Sequence, residues 1–376
     1  MNLRECRGTA KVLNRQVHRL KGRNHGSRVT IRDIARESGF SVSAVSLVLN
    51  NAPLARYIPE QTKKRIQGVA QKLGYTPNQL ARALRSQRTT TVGLMVFDIT
   101  DPFCTPILRG IERALYQLNH LSILTDTHSE RSRFERYLEL LLERRVEGLI
   151  VVANWAVVDI NLLSELERQR VPTVVIGREL KAESVGSVVV DNEAGGRIAM
   201  EHLHSLGHRK IAFIRGPKTL GDTPLRWEGV KSVARSAGLK LDPKLIVDLP
   251  PTFDPNHGFE IGAKLTEELL RRNRTFTALL AFDDITALGA MHALTKAGIK
   301  VPEQCSLIGF DDVAPATFSI PPLTTVRQPL EIMGETAADI IAGAMNAVAE
   351  KREFSPVNIR LLPELVVRRS TRLVKQ

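Results

Sequence analysis

Two aspartate pairs, Asp283-Asp284 and Asp311-Asp312, each follow a short apolar run, Ala278–Ala281 and Ser306–Gly309, that reads as a buried strand. Carboxylates so placed can share acid and base roles in sugar hydrolysis. They can also hold ligand hydroxyls at the carboxyl ends of strands, or cap the helix that follows. Nothing else marks a cleft for acid–base work, so no catalytic residue is assigned and an enzyme is not expected. Asp284 and Asp312 read as caps, Asp283 as a ligand contact, and Asp311 is balanced between the two roles. Arg226 can fork two bonds onto a carboxylate, a phosphate or vicinal hydroxyls. His202, His204 and His208 lie close together, but the first two fall on different sides of a helix. The third follows Gly207 in a turn, so no metal site is read there. Gly216 to Gly221 has no Lys-Ser/Thr after it and is not a phosphate loop. Neither a metal nor a cofactor is expected.

The stretch Thr30–Asn50 offers different chemistry. Thr30 can cap a first helix, with Asp33 as a short reciprocal carboxylate. Ile31, Ile34 and Ala35 share one face of that helix, and Gly39 supplies a turn. Ser41 can cap a second helix whose inner face holds Val45, Val48 and Leu49. Two short helices with a tight turn make the shape that lays the second helix into the DNA major groove. An ordinary helical hairpin has the same spacing, and charge separates the readings. The formal charge is +13, and residues 1–90 carry 18 Lys/Arg against 4 Asp/Glu. The remainder carries 35 basic and 36 acidic residues. A cationic front on a neutral body favours nucleic acid as the partner.

With 376 residues, 43% of them hydrophobic, the chain can bury a large core in more than one domain. Residues 1–28 read as a basic, disordered arm, or as a stretch preceding the true translation start. Residues 29–75 read as the helical domain, with a third helix from Glu60 to Leu73. Residues 76–91 read as a short hinge helix and linker, with Asn78 to Arg85 making two turns. From Val92 buried strands alternate with amphipathic helices. The strands are Val92–Phe97, Leu121–Thr125, Gly148–Val152, Thr173–Ile176, Ser187–Val190, Lys210–Ile214, Ala278–Ala281 and Ser306–Gly309. Helices include Ile107–Leu118, Ser132–Glu143, Glu193–Leu206, Leu225–Ala237, Gly258–Leu270 and Ile285–Ala297. The alternation predicts parallel sheets with helices on both faces, in two lobes. Cys6, Cys104 and Cys305 are too scattered for a disulfide framework and fit a reducing cytoplasm. No apolar run approaches the roughly 20 residues that span a bilayer, so no membrane partner is expected.

Several blocks occur in a telling order: Thr30–Asn50, Leu73-Gly74-Tyr75-Thr76-Pro77-Asn78, Asp101-Pro102-Phe103 and Asp191-Asn192-Glu193-Ala194-Gly195-Gly196. They continue with Leu206-Gly207-His208-Arg209-Lys210-Ile211, Arg226-Trp227-Glu228-Gly229, Ala281-Phe282-Asp283-Asp284, Gly309-Phe310-Asp311-Asp312 and Pro322-Leu323-Thr324-Thr325-Val326-Arg327-Gln328. From Val29 on, the chain resembles transcriptional regulators of the lactose repressor/galactose repressor family. The resemblance implies a helix-turn-helix head, a hinge helix, and a core similar to periplasmic sugar-binding proteins over 92–376. The lobes would be 92–190 with about 326–355, and about 191–325 with the C-terminus. It also implies a homodimer, a pseudo-palindromic operator in double-stranded DNA, and a small effector held between the lobes; the acidic candidates for its pocket favour a sugar-like one.

Site residues follow position by position. On the second helix Val42, Ser43 and Ala44 face base edges, with Leu47 a turn later. Ser43 can donate or accept, while Val42 and Leu47 suit thymine methyls. Leu47 stands where the family often has arginine, which shifts operator preference; burial of Leu47 against the core is the alternative. Ser41, Ser46 and Asn50 can meet phosphates. Arg56 and Tyr57, in a loop from Asn50 to Pro59, can add contacts. Leu84 aligns with a leucine that wedges into the minor groove, Ala81 lets the backbone approach, and Arg82, Arg85 and Arg88 reach phosphates. Effector candidates are Phe103, Asp191, Arg226, Asp283, Asp311 and Gln328, with Asp191 alternatively capping the next helix. The expected function is an effector-controlled repressor. A regulator governed by a protein corepressor, or a cytosolic sugar-binding protein with no role on DNA, are the alternatives.

Overall fold

The computed structural model describes residues 29–76, 88–153, 171–179, 185–251 and 257–374. The chain divides between Arg88 and Thr89 into two units. In the first, α1 (Ile31–Ser38), α2 (Val42–Leu49) and α3 (Glu60–Lys72) surround Ile34, Val45, Val48 and Ile66. Thr30 and Asp33 cap α1 reciprocally. The Asp33 amide donates to Thr30 Oγ1 at 3.4 Å, and the Thr30 amide donates to Asp33 Oδ2 at 2.9 Å. The carboxylate is one methylene shorter than the usual glutamate and still reaches. Gly39 ends α1 at φ +77°, a conformation that costs glycine little. The stretch read as a loop from Asn50 to Pro59 contains a 3-10 helix, Pro53–Tyr57, with proline in its first turn.

Among the described residues the second unit holds two six-stranded sheets. The first contains β1 (Thr91–Val96), β2 (Leu121–Asp126), β3 (Gly148–Val152), β4 (Thr173–Ile176), β5 (Val185–Val190) and the late strand β11 (Asn358–Leu361), all parallel. The second contains β6 (Ile211–Arg215), β7 (Ile246–Asp248), β8 (Ala278–Leu280), β9 (Ser306–Asp311), β10 (Thr324–Arg327) and β12 (Glu364–Val366). Only β12 runs antiparallel to its neighbour there, beside β10. Helices α4 (Cys104–Gln117) and α5 (Arg131–Glu143) serve the first lobe. The second has α6 (Asn192–Ser205), α7 (Asp222–Ser236), α8 (Gly258–Arg272), α9 (Asp284–Lys296) and the short α10 (Ala314–Phe318).

Among the described residues the chain crosses between sheets three times, at Asp191, between Arg327 and Leu330, and between Leu361 and Glu364. This differs from the expected return at about 326–355. Strand β10 stays in the second sheet through Arg327, and the first lobe then receives both α11 (Leu330–Ala349) and β11. Helix α11 went unread, although Leu330, Met333, Ala337, Ile341 and Met345 pack on the first sheet's core. Among the described residues, no helix is long and apolar enough to cross a membrane.

Candidate functional site

Helix α2 starts at Ser41, whose Oγ accepts the Ala44 amide at 3.1 Å. That hydroxyl therefore serves its own helix. Val42 and Ser43 are exposed, Val42 to 47%, while Ala44, Ser46 and Leu47 are half-buried. Leu47 is thus neither a fully free tip nor a core residue. At the other end Asn50 folds back, its Nδ2 donating to the Ser46 carbonyl at 2.8 Å. The exposed face offers short side chains with no formal charge. Asn78, Ala81, Arg82, Leu84 and Arg85, on which the minor-groove expectation rests, lie outside the described residues.

The second site lies between the lobes. Phe103 and Gly177 line one side of a cleft and Asn192, Asp222, Arg226 and Asp311 the other, with Gln328 at a crossover. About 460 Å³ of non-protein space lies there, counting space open to solvent. Arg226 is its centre. Its Nε donates to Asn192 Oδ1 at 2.7 Å and its Nη1 to the Phe282 carbonyl at 2.7 Å. Its guanidinium carbon lies 3.6 Å from the Phe310 ring centre and 4.4 Å from that of Phe282. Both rings favour the cation electrostatically. Burial pulls the Arg226 pKa down, while Asp311, Asp222, Asp283 and Asp284 oppose that shift.

Asp311 ends β9 with φ +110°, and Asp312 follows at +62°. Two successive non-glycine residues in that region are strained, and such strain concentrates where geometry serves a site. Gln328 Nε2 donates to Asp311 Oδ1 at 2.6 Å. Burial pushes the Asp311 carboxyl well above the usual carboxylate range, with Asp284 and Asp283 adding to it against the pull of Arg226. Asp222, at the start of α7, is likewise raised by burial, while Arg226 and Arg178 hold it down.

The helix pair α6–α7 sets this geometry. A Cβ on Gly196 would fall 2.0 Å from the Arg226 carbonyl oxygen, and one on Gly229 would fall 2.0 Å from that of Glu193. Glycine at both positions lets the two backbones touch, which brings Arg226 against Asn192.

Of the expected effector residues, Phe103, Arg226, Asp311 and Gln328 meet in the cleft. Asp191 and Asp283 instead sit at helix N-termini. Asp191 Oδ1 accepts the Ala194 amide at 2.8 Å, and Asp283 Oδ1 accepts the Thr286 amide at 2.6 Å. Asp284 and Asp312, read as caps, are ties between elements. Asp284 accepts from the Val313 amide and from Thr325 Oγ1, at 2.9 and 2.5 Å. Asp312 is held by Arg327 and Arg368.

Sequence reasoning missed Asn192, Asp222 and Phe282, which line the cleft. A signal existed for Asp222, since a residue four before Arg226 shares its helix face. Arg178 follows β4, and its Nε is buried with no hydrogen-bond partner among the described residues. His208 is structural. Its ring nitrogens lie 2.9 Å from Thr277 Oγ1 and 2.9 Å from Ser306 Oγ, and burial lowers its pKa.

A helix-turn-helix head and a two-lobed α/β core with a polar cleft at its crossovers define a class, and comparison with known proteins agrees. Residues 30–78 match the model of bacterial regulatory proteins, lacI family, and residues 200–371 that of the periplasmic binding protein-like domain. The chain is 32% identical to the ribose operon repressor of Escherichia coli (strain K12) over 315 residues, 83% of this chain and 92% of that one. The structure of the lac repressor dimer bound to operator and the anti-inducer ONPF superposes with a TM-score of 0.77 at 25% identity, covering 92% of this chain and all of that one. A lacI-family regulator from Enterococcus faecium with bound ribose gives a TM-score of 0.65 at 32% identity, over 76% of this chain and all of that one. The protein belongs to the lacI family of bacterial regulatory proteins.

Proposed function

We propose that this protein is a dimeric, sequence-specific transcriptional repressor whose hold on operator DNA is set by a small polyhydroxylated effector, sugar-like in chemistry, bound between its lobes. One observation carries the effector class. Arg226, Asn192, Asp222, Asp311 and Gln328 converge on a cleft with aromatic walls, a mixture of donors and acceptors suited to a ring bearing several hydroxyls. Family kinship with a ribose operon repressor and a ribose-bound regulator supports that chemistry.

In this reading α2 enters the major groove and the hinge residues Asn78, Ala81, Arg82, Leu84 and Arg85 enter the minor groove, with Leu84 as the wedge. An effector that favours one arrangement of the lobes changes operator affinity by its difference in affinity for the two. The test selects bound genomic fragments with and without D-ribose and a panel of pentoses and hexoses. Retention of discrete fragments that changes with one sugar is expected. A chain that retards no fragment at low salt, sugar or no sugar, ends the reading.

A further inference from the structure

The 3-10 helix Pro53–Tyr57 forms a shelf beside α2 carrying two exposed hydrogen-bond donors. The chain turns back directly after α2: Asn51 takes φ +48°, and the Ala52 amide donates to the Leu47 carbonyl at 3.0 Å. Ala55 is buried against the head and anchors the turn, while Leu54 and Tyr57 stand 59% and 69% exposed. Arg56 is not free to wander. Its guanidinium carbon sits 4.7 Å from the centre of the Tyr57 ring, and its Nη2 donates to Tyr57 Oη at 2.7 Å. The tyrosine oxygen accepts that bond, so its own hydrogen remains for another partner. The guanidinium keeps further N–H groups beside it. Two adjacent donors, one of them cationic, present a complementary site for a phosphodiester oxygen.

We infer that Arg56 and Tyr57 form a clamp on the DNA backbone at the rim of the groove that α2 occupies. The inference rests on the DNA-binding reading above and goes beyond its assignment of α2 and the hinge. Geometry supports it. A recognition helix meets base edges through its N-terminal residues, and the shelf folds back from the opposite end of α2 through the Ala52–Leu47 bond. Charge agrees, because residues 29–76 carry seven Lys/Arg against three Asp/Glu. The acid that follows, Glu60, is paired with Lys63.

The test measures binding of the full chain to a genomic fragment it retains, across a salt series, for wild type, Arg56→Ala, Tyr57→Phe, Tyr57→Ala and Ser43→Ala. Both shelf side chains are exposed, so unchanged circular dichroism is expected in every variant. Arg56→Ala should weaken binding roughly tenfold, equally for matched and mismatched fragments, and lower the salt slope by about 1. Tyr57→Phe should lose several-fold, and Tyr57→Ala more, because Arg56 then loses its support. Ser43→Ala should change preference between fragments and leave the salt slope alone. Unchanged affinity and slope in Arg56→Ala and Tyr57→Ala, with wild type bound, overturns the clamp alone. So does altered self-association with unaltered DNA binding, which would make the shelf a contact between copies. A wild-type chain that holds no DNA overturns the clamp together with the reading beneath it.

Discussion

The exposed face of α2 and the cleft between the lobes treat polar groups in opposite ways. On α2, Ser41 and Asn50 satisfy the helix itself, and what faces outward is small and without formal charge. In the cleft, Arg226, Asp222 and Asp311 are withdrawn from water and set against one another's charge, with Arg226 tied to Asn192 and Phe282 and Asp311 to Gln328 before any ligand arrives. An ion taken from water costs several kcal/mol unless partners replace its hydration. The face of α2 can therefore be rewritten at little cost to folding, which suits a surface that must vary with operator sequence. The cleft cannot, because its recognition groups also hold the second lobe together.

The hardest test of that contrast is Arg226→Met. It leaves Asn192 Oδ1 and the Phe282 carbonyl without their donor and strips the counter-charge from Asp222 and Asp311. Removing one partner from such a set costs about 3 kcal/mol or more. Ser43→Ala on α2 should stay within about 0.5 kcal/mol. Denaturant unfolding measures both, and similar losses at the two sites would abolish the contrast.

Two glycines sharpen it. Gly196→Ala drives a methyl into the Arg226 carbonyl, which must cost about 1–3 kcal/mol and weaken sugar binding by displacing α7. Gly68, on α3 of the head, has open space where a Cβ would sit. Gly68→Ala should stabilise the head by about 0.5–1 kcal/mol through helix propensity. A stable Gly196→Ala with full effector affinity would mean the α6–α7 contact does not place Arg226.

Charge burial also predicts a pH response confined to the core. Burial pushes the Asp284 carboxyl up to about 8, from an ordinary 3.8. Between those values the folded chain holds a proton that the unfolded chain has released. Stability must therefore fall as pH rises from about 4 to about 8 and level off above that. Asp222, Asp283 and Asp311 shift in the same direction and add to the slope. Asp284→Asn should flatten the core's profile of melting temperature against pH, and a variant with the wild-type slope would refute the assignment.

The same contrast explains what could be read from sequence. Thr30, Asp33, Gly39 and Ser41 act on neighbours three or four residues away, so residue type and spacing expose them. The strands β1 to β6 were legible as apolar runs. By contrast β11 and β12, Asn-Ile-Arg-Leu and Glu-Leu-Val, are short strands at sheet edges with exposed polar residues, and carry no such signature. The cleft is assembled from segments more than 200 residues apart, Phe103 with Gln328. Composition could not separate Asp283, which caps its helix, from Asp311, which faces the cavity. The backbone decides that, since Asp283 turns onto the Thr286 amide while Asp311 takes φ +110° and meets Gln328, and sequence periodicity does not report it.

The smallest effect belongs to the head's first cap. Thr30→Ala removes the oxygen that receives the Asp33 amide and breaks the reciprocal pair that starts α1. Such a loss costs about 1 kcal/mol, felt only in the unfolding of residues 29–76. Thr30→Ser keeps the oxygen and should recover most of it. Hydrogen exchange of the α1 amides reads both variants against the core amides in one sample. Loss of protection in α1 and α2 with an unchanged core is the expected pattern. If Thr30→Ala lowered protection in α6 and α7 as well, the head and the cleft would not be the independent designs their chemistry implies.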